Sequence, residues 1–463
     1  MDLQSSKDSE ARFEAFVEGL TSVIGHKDRA GPLRDYCVGL IIPGERKSVE
    51  PMAAVTAPGR TAAQHQSLLH FVGQSPWSDE KVLSKVFEMV QPAIENHGPI
   101  EAWIIDDTGF PKKGNHSVGV AHQYCGQLGK TDNCQVAVSL SVANHDASIP
   151  VAYRLYLPQE WAEDSKRRRN AHVPKDICFK TKPEIALEQI EAACKACIPR
   201  GVVLMDAGYG SKTRLRAGVS TLGLKYVAGI QPTIKVIELL GSGRRAKRRK
   251  SEPVSVKELA LGLPKRTWRE VKWREGSSKP LSSRFARVRV CVAHEDSQHD
   301  EPRPEWLLIE WPKGEDEPTK YWLSTLSEKI TLPRLVDMAK LRWRIERDYE
   351  ELKQEVGLGH FEGRGWRGFH HHATLCIAAY GFLTSERETS PPCGPRSPRR
   401  FAELAVHPGY RPRGASNKTG TSYPKLDRHH AAASHRRARP APVAMPMLQS
   451  PVQTSDAANL VTQ

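Results

Sequence analysis

The sequence predicts a mixed α/β fold, and three observations carry that expectation. Apolar residues recur at helical spacing in the first hundred positions, beginning with Phe13, Phe16, Val17 and Leu20. From residue 101 the pattern changes to short strand-like runs separated by helix-compatible stretches. From about residue 384 the periodicity disappears, and eleven of the 33 prolines fall there, a composition too poor in apolar surface to offset the entropy of ordering. The expected layout is a helical part over 1–98, a sheet-centred core over 99–230 and 321–385, a β-rich insertion over 231–320, and a disordered basic tail over 386–463.

Within the helical part, 66–72 and 80–89 follow the first helix, and Lys27, Arg29, Arg34, Arg46, Lys47 and Arg60 are interleaved among the apolar positions. Such a segment is either a solvated helical domain or one that binds DNA ends. The core opens with strand-like 102–106, 134–142 and 150–157. A helix over 183–197 has proline near its start and glutamates on its polar face. The run 201–206 is almost wholly apolar, which suits a buried strand, and a helix over 212–222 and a strand over 225–230 follow.

The insertion opens with the basic run Arg244, Arg245, Ala246, Lys247, Arg248, Arg249, Lys250, read as a loop that contacts phosphate backbone. Strand-like runs at 284–292, 306–311 and 321–326 come with Trp268, Trp273, Trp306, Trp311 and Trp322. Tryptophans among charges are usually the core of a small sheet; base stacking by one of them is the less common use. Two helices, 332–356 and 369–383, complete the core.

Composition narrows the class. A formal charge of +15 and a pI near 9.4 point to a polyanionic partner, nucleic acid first, because each cation set against a phosphate releases a condensed counterion. No apolar run is long enough to span a bilayer, and the first residues lack the features of a secretory signal. Nine scattered cysteines do not form a disulfide framework, and the lone pair Cys194 and Cys197 has no second pair to complete a zinc site. A cytoplasmic, nucleoid-associated protein with no membrane contact is expected.

Chemistry concentrates on carboxylates. Asp106 and Asp107 sit in a strand, where alternation lets only one of them face a given site. Lys112 and Lys113 follow them and suit a phosphate-bearing substrate. Asp206 ends the apolar run, a costly place for a carboxylate unless it is paired or metal-bound. Glu346 lies four residues after Arg342 and seven before Lys353, so the three share a helix face. Oxygen ligands without Cys or His favour Mg²⁺, with Mn²⁺ a substitute, and such ions serve phosphoryl transfer. The run His370, His371, His372 reads as backbone-phosphate contact or plain surface, since consecutive helix residues diverge too far to share one metal.

Taken in order, Asp-Asp-Thr-Gly, Leu-Met-Asp-Ala-Gly-Tyr and Arg-Trp-Arg-Ile-Glu with its downstream lysine resemble the DDE transposases of bacterial insertion sequences. The likeness is to the insertion sequence 4 superfamily and most to its insertion sequence 701 branch. It covers roughly 10–390 and includes Pro-Lys-Lys-Gly, Gln-Tyr-Cys-Gly-Gln-Leu-Gly-Lys and His-Phe-Glu-Gly-Arg-Gly-Trp. The resemblance implies a ribonuclease-H-like core that the β-rich insertion interrupts. It implies Asp107, which directly precedes threonine, Asp206 and Glu346 as catalytic metal ligands. Arg342 and Lys353 would support them and contact phosphate. The helix signature of the superfamily also carries a tyrosine, and Ala339 stands in its place here. The expected activity is binding of terminal inverted repeats, cleavage of element ends and joining of 3′-hydroxyls to target DNA, by a homodimer on paired ends. The rival readings are a ribonuclease-H-like nuclease without strand transfer and a catalytically silent DNA-binding repressor.

Overall fold

The computed structural model describes residues 3–240, 247–248, 252–275, 280–293 and 304–389. Five helices come first: α1 (Leu3–Thr21), α2 (Ala30–Ile41), α3 (Val49–Thr56), α4 (Thr61–Gly73) and α5 (Asp79–Glu95). The last shows why this part is helical. The Ser78 hydroxyl accepts from the Lys81 N–H, Asp79 and Glu80 fill the first turn, and Val82, Val86, Val90 and Ile94 form one buried stripe.

Strands β1 (Ala102–Pro111), β2 (Ala121–Cys125), β3 (Lys130–Ala143) and β4 (Ser148–Leu155) follow. Two short helices, α6 (Gln159–Glu163) and α7 (Ser165–Asn170), lead to α8 (Lys182–Lys195), β5 (Val202–Met205), α9 (Ala207–Gly210), α10 (Thr213–Thr221) and β6 (Tyr226–Ile230). The inserted segment supplies β7 (Lys235–Leu240), β8 (Lys247–Arg248), β9 (Val254–Ser255), α11 (Val256–Leu261), β10 (Arg269–Glu275), β11 (Pro280–Val292), β12 (Glu305–Trp311) and β13 (Lys320–Ser324). Then come α12 (Leu332–Leu341), α13 (Trp343–Gln354) and α14 (Trp366–Thr389).

The strands form one mixed sheet in the order β2-β3-β1-β5-β6-β13-β12-β11-β7-β8, with β4 on β3, β10 on β11 and β9 on β7. Strand β1 runs antiparallel to β3 and parallel to β5, and β5 runs parallel to β6. The insertion therefore extends the sheet across the β6–β13 pair, from Tyr321↔Ile230 to Ser324↔Val227. Its tryptophans pack within it. Trp268 meets Trp311 edge-on at 5.2 Å, Trp273 meets Phe285 at 5.8 Å, and Arg287 and Arg289 lie 4.5 and 4.9 Å from the Trp306 ring.

Several expectations change in detail. Strand β1 does not end at the aspartates but continues to Pro111, because β3 offers an unbroken antiparallel partner from Ala143 to Cys134. The single helix expected over 332–356 is two, broken at Arg342. The histidine run is not on the surface: all three imidazoles are buried on α14. His370 donates from Nδ1 to the Trp366 carbonyl and accepts the Leu155 N–H at Nε2 (2.9 and 3.2 Å). His371 stacks on Trp77 at 3.5 Å, and His372 joins the Tyr36 hydroxyl to the Gly357 carbonyl (2.9 and 3.0 Å). Burial lowers the pKa of His371 and of His372 to about 4.

Helix α14 is buried on all sides, as its nearly uniform apolar run over 373–383 requires. It packs against α2, α4, α5 and β4, and residues of α1–α5 share one hydrophobic cluster with the sheet. Among the described residues, no helix is long and apolar enough to cross a membrane.

Candidate active site

The acidic residues meet where β1, the end of β5 and the start of α13 come together. They form two linked pairs. On one side, Arg342 Nη1 donates to Asp106 Oδ2 (2.7 Å) and Nη2 to Glu346 Oε1 (3.2 Å). On the other, Asp107 Oδ2 accepts from the Tyr209 hydroxyl (3.1 Å), and the Tyr209 N–H donates to Asp206 Oδ1 (3.0 Å). Lys182 Nζ reaches the same Asp107 oxygen at 2.8 Å.

Local folding explains each position. Asp106 and Asp107 alternate along β1, where they face Ser139 and Val138 of β3. Ser139 bonds the Tyr349 hydroxyl of α13, and Gln189 of α8 donates to the Val138 carbonyl at 3.0 Å. Asp106 thus shares its face with α13, and the Lys182 contact sets Asp107 toward the start of α8. Asp206 caps the short α9, and Gly208 leaves it room, since a Cβ there would lie 3.2 Å from Asp206 Oδ1. Arg342 sits at the break between α12 and α13, so its guanidinium reaches β1 while still spanning one turn to Glu346.

Burial dominates the electrostatics of Asp106. It raises the carboxyl pKa to about 6, the neighbouring Asp206 and Asp107 add to the rise, and Arg342 opposes it. Tyr209 is pushed well above the ordinary phenol value, first by burial and then by Asp107, so its hydroxyl stays protonated and donates. The Asp106–Arg342 pair is well shielded, with 17% and 23% of the side chains exposed. Glu346 is 67% exposed, and its ion pair with Arg342 adds little stability.

The expected phosphate contacts are placed unevenly. Lys353 Nζ donates to the Gly109 carbonyl (2.8 Å) and Gln127 Oε1 (3.2 Å), and burial lowers its pKa to about 8. Lys112 donates to the Phe361 carbonyl at 2.9 Å. Lys113 is exposed, in an open groove of about 790 Å³ also lined by Arg46, His116, His360 and Arg364 and by the acidic Glu45 and Glu362, the latter paired with Arg46. Arg244, Arg245, Arg249 and Lys250 lie outside the described residues, and Lys247 and Arg248 are described only as the strand β8 on β7. Sequence reasoning missed Lys182 and Tyr209. The tyrosine had a signal in Asp-Ala-Gly-Tyr, whereas the lysine, some 75 residues from Asp107, had none.

The donor set suits a hard divalent ion: carboxylate oxygens, mutually repelling, at the rim of a sheet. Among the described residues no three acidic, histidine or cysteine side chains converge as a metal site; Asp107 pairs with Lys182, and Glu346 with Arg342. The sequence-expected set of Asp107, Asp206 and Glu346 is divided between the two pairs: Asp107 and Asp206 share Tyr209, while Glu346 is tied through Arg342 to Asp106.

Comparison with known proteins agrees with this chemistry. Residues 16–280 match the family described as DDE superfamily endonuclease, and 182–382 match the transposase DDE domain. The chain is 30% identical over 195 residues to the probable transposase for insertion sequence element IS701 of Microchaete diplosiphon. That match covers 42% of this chain and 47% of the relative, so the chain spans about half the length of that protein. Enzymes with DDE domains use divalent metal ions. The matched span exceeds half of the sequence, and the chain belongs to the DDE superfamily endonucleases.

Proposed function

We propose that this endonuclease is an insertion-sequence transposase that binds the terminal inverted repeats of its element, cleaves the ends and joins the 3′-hydroxyls to target DNA. The observation that supports the reading is the pair of bridged carboxylate couples on β1, after β5 and on α13: Arg342 joins Asp106 to Glu346, and Tyr209 joins Asp107 to Asp206. The order of three antiparallel strands, then two parallel ones, then a carboxylate-bearing helix supports a ribonuclease-H-like core.

Bound Mg²⁺ ions would activate the attacking oxygen and stabilise the leaving one in an in-line displacement. The protein's own residues set the stage. Asp107, Asp206 and Glu346 present the oxygens. Asp106 holds Arg342, which fixes the start of α13 and orients Glu346. Lys353 ties the end of that helix to β1 through the Gly109 carbonyl, two residues past Asp107. Lys113 and Arg364, in the groove past the end of β1, meet backbone phosphates, with the basic run of the insertion a further contact. Two ends must be paired for joining, so the active species is a homodimer on DNA.

The test is cleavage and strand joining with Mg²⁺ on DNA bearing the element's ends, comparing the wild type with Glu346→Gln. Activity that disappears in the variant while end binding persists establishes the reading. Cleavage without joining of a pre-cut end makes the protein a plain nuclease. Binding with no activity in either protein makes it a repressor.

A further inference from the structure

Lys182 is the first residue of α8, where the positive end of the helix dipole disfavours a cation. Two nearby cations, Lys180 and Arg154, both pair with Glu188. Lys182 instead crosses to the sheet, where its ammonium sits 2.8 Å from Asp107 Oδ2, on the oxygen that already accepts the Tyr209 hydroxyl. The α8 start is held firmly. Thr181 and Glu184 form a reciprocal cap, and Gln189 bonds the Val138 carbonyl of the strand paired with β1. The ammonium is therefore delivered to Asp107 by the fold and does not drift there from solvent.

We propose that Lys182 is a positioning residue and a resident counter-ion: it holds Asp107 in the metal-free protein and competes with the divalent ion for that carboxylate. The inference rests on the proposed role of Asp107 as a ligand. Two cations on one partly buried carboxylate repel strongly, so occupancy by the ion requires the ammonium to withdraw. Lys182 then stands within a side chain's reach of the site, free to meet a phosphate oxygen of the substrate. Its counterpart on the other pair is Arg342, which engages Asp106 and Glu346 in the same manner.

The experiment is Mn²⁺ titration of the full chain without DNA, read as loss of the free-ion electron paramagnetic resonance signal. Lys182→Met is expected to bind Mn²⁺ about tenfold more tightly than wild type, because a competing charge is gone. Lys182→Arg is expected to restore the weaker affinity, and Lys182→Met is expected to have no effect in an Asp107→Asn background. A purely structural role predicts equal or weaker binding in Lys182→Met with a lowered melting temperature, and that result overturns the proposal. If Asp107→Asn alone leaves Mn²⁺ affinity unchanged, the assignment of Asp107 falls and this inference with it. If Asp107→Asn weakens binding but Lys182→Met changes nothing, only the counter-ion role falls.

Discussion

His372 shows how a residue that looks superficial in sequence becomes part of the core. With Nε2 donating to the Gly357 carbonyl, the neutral ring accepts from the Tyr36 hydroxyl at Nδ1, so both partners are satisfied without a buried charge. Burial depresses its pKa from 6.5 to about 4. The folded state thus binds fewer protons than the unfolded chain between those values, and stability held above pH 6.5 is lost as pH falls through 4. The full effect of such a shift is on the order of 3 kcal/mol. The melting temperature is expected to fall steeply over that window, and His372→Gln is expected to flatten the slope. Three adjacent histidines carry no mark of burial by themselves; the apolar run after them was the readable clue, because it makes α14 a helix enclosed on every side. Asp206 was legible for the opposite reason, a charge after four apolar residues being conspicuous. The roles of Asp106 and Asp107 were only half legible, since alternation separates their faces but does not say what packs on each.

At the scale of elements, the contact between α9 and β6 sets where Asp206 stands. A Cβ on Gly210 would run into the Gly229 carbonyl oxygen and lie 2.9 Å from the Ala228 Cβ. Neither neighbour has a flexible end to withdraw. Gly210→Ala is expected to cost on the order of 3 kcal/mol in urea unfolding and to displace Asp206. Gly114→Ala, with nothing within 4 Å of the added Cβ, is the matched control and is expected to unfold like wild type. The apolar strands β3, β4, β5, β6, β11, β12 and β13 were legible as apolar runs, whereas β2 (Ala121–Cys125), β7 (Lys235–Leu240) and β10 (Arg269–Glu275), rich in polar residues or lying in the insertion, were not. Nor was the break between α12 and α13, because the residues around Arg342 all favour a continuous helix. The guanidinium's attachment to β1, a tertiary contact, accompanies the break and has no trace in local periodicity.

For the whole molecule, charge leads to the last expectation. With a net charge of +15 and exposed Lys113 and Arg364 in the groove past the end of β1, DNA affinity should fall linearly with salt on logarithmic axes. Lys113→Gln and Arg364→Gln should each reduce that slope by about 0.9, as measured by fluorescence anisotropy from low to moderate salt. A slope unmoved by either change removes the groove from the DNA path. The sequence announced a β-rich interruption but not its attachment, because pairing between distant strands leaves no local pattern; β13 could have closed a separate sheet as easily as it joined β6.

That junction also orders events in time. Both aspartate strands leave the ribosome more than a hundred residues before Glu346, and α13 comes only after β13, the strand that returns from the insertion to the edge of β6, and after α12. Contacts of such long sequence separation form late in folding. A half-made chain therefore carries Asp106, Asp107 and Asp206 without Glu346, and the proposed site cannot assemble until α13 has been made.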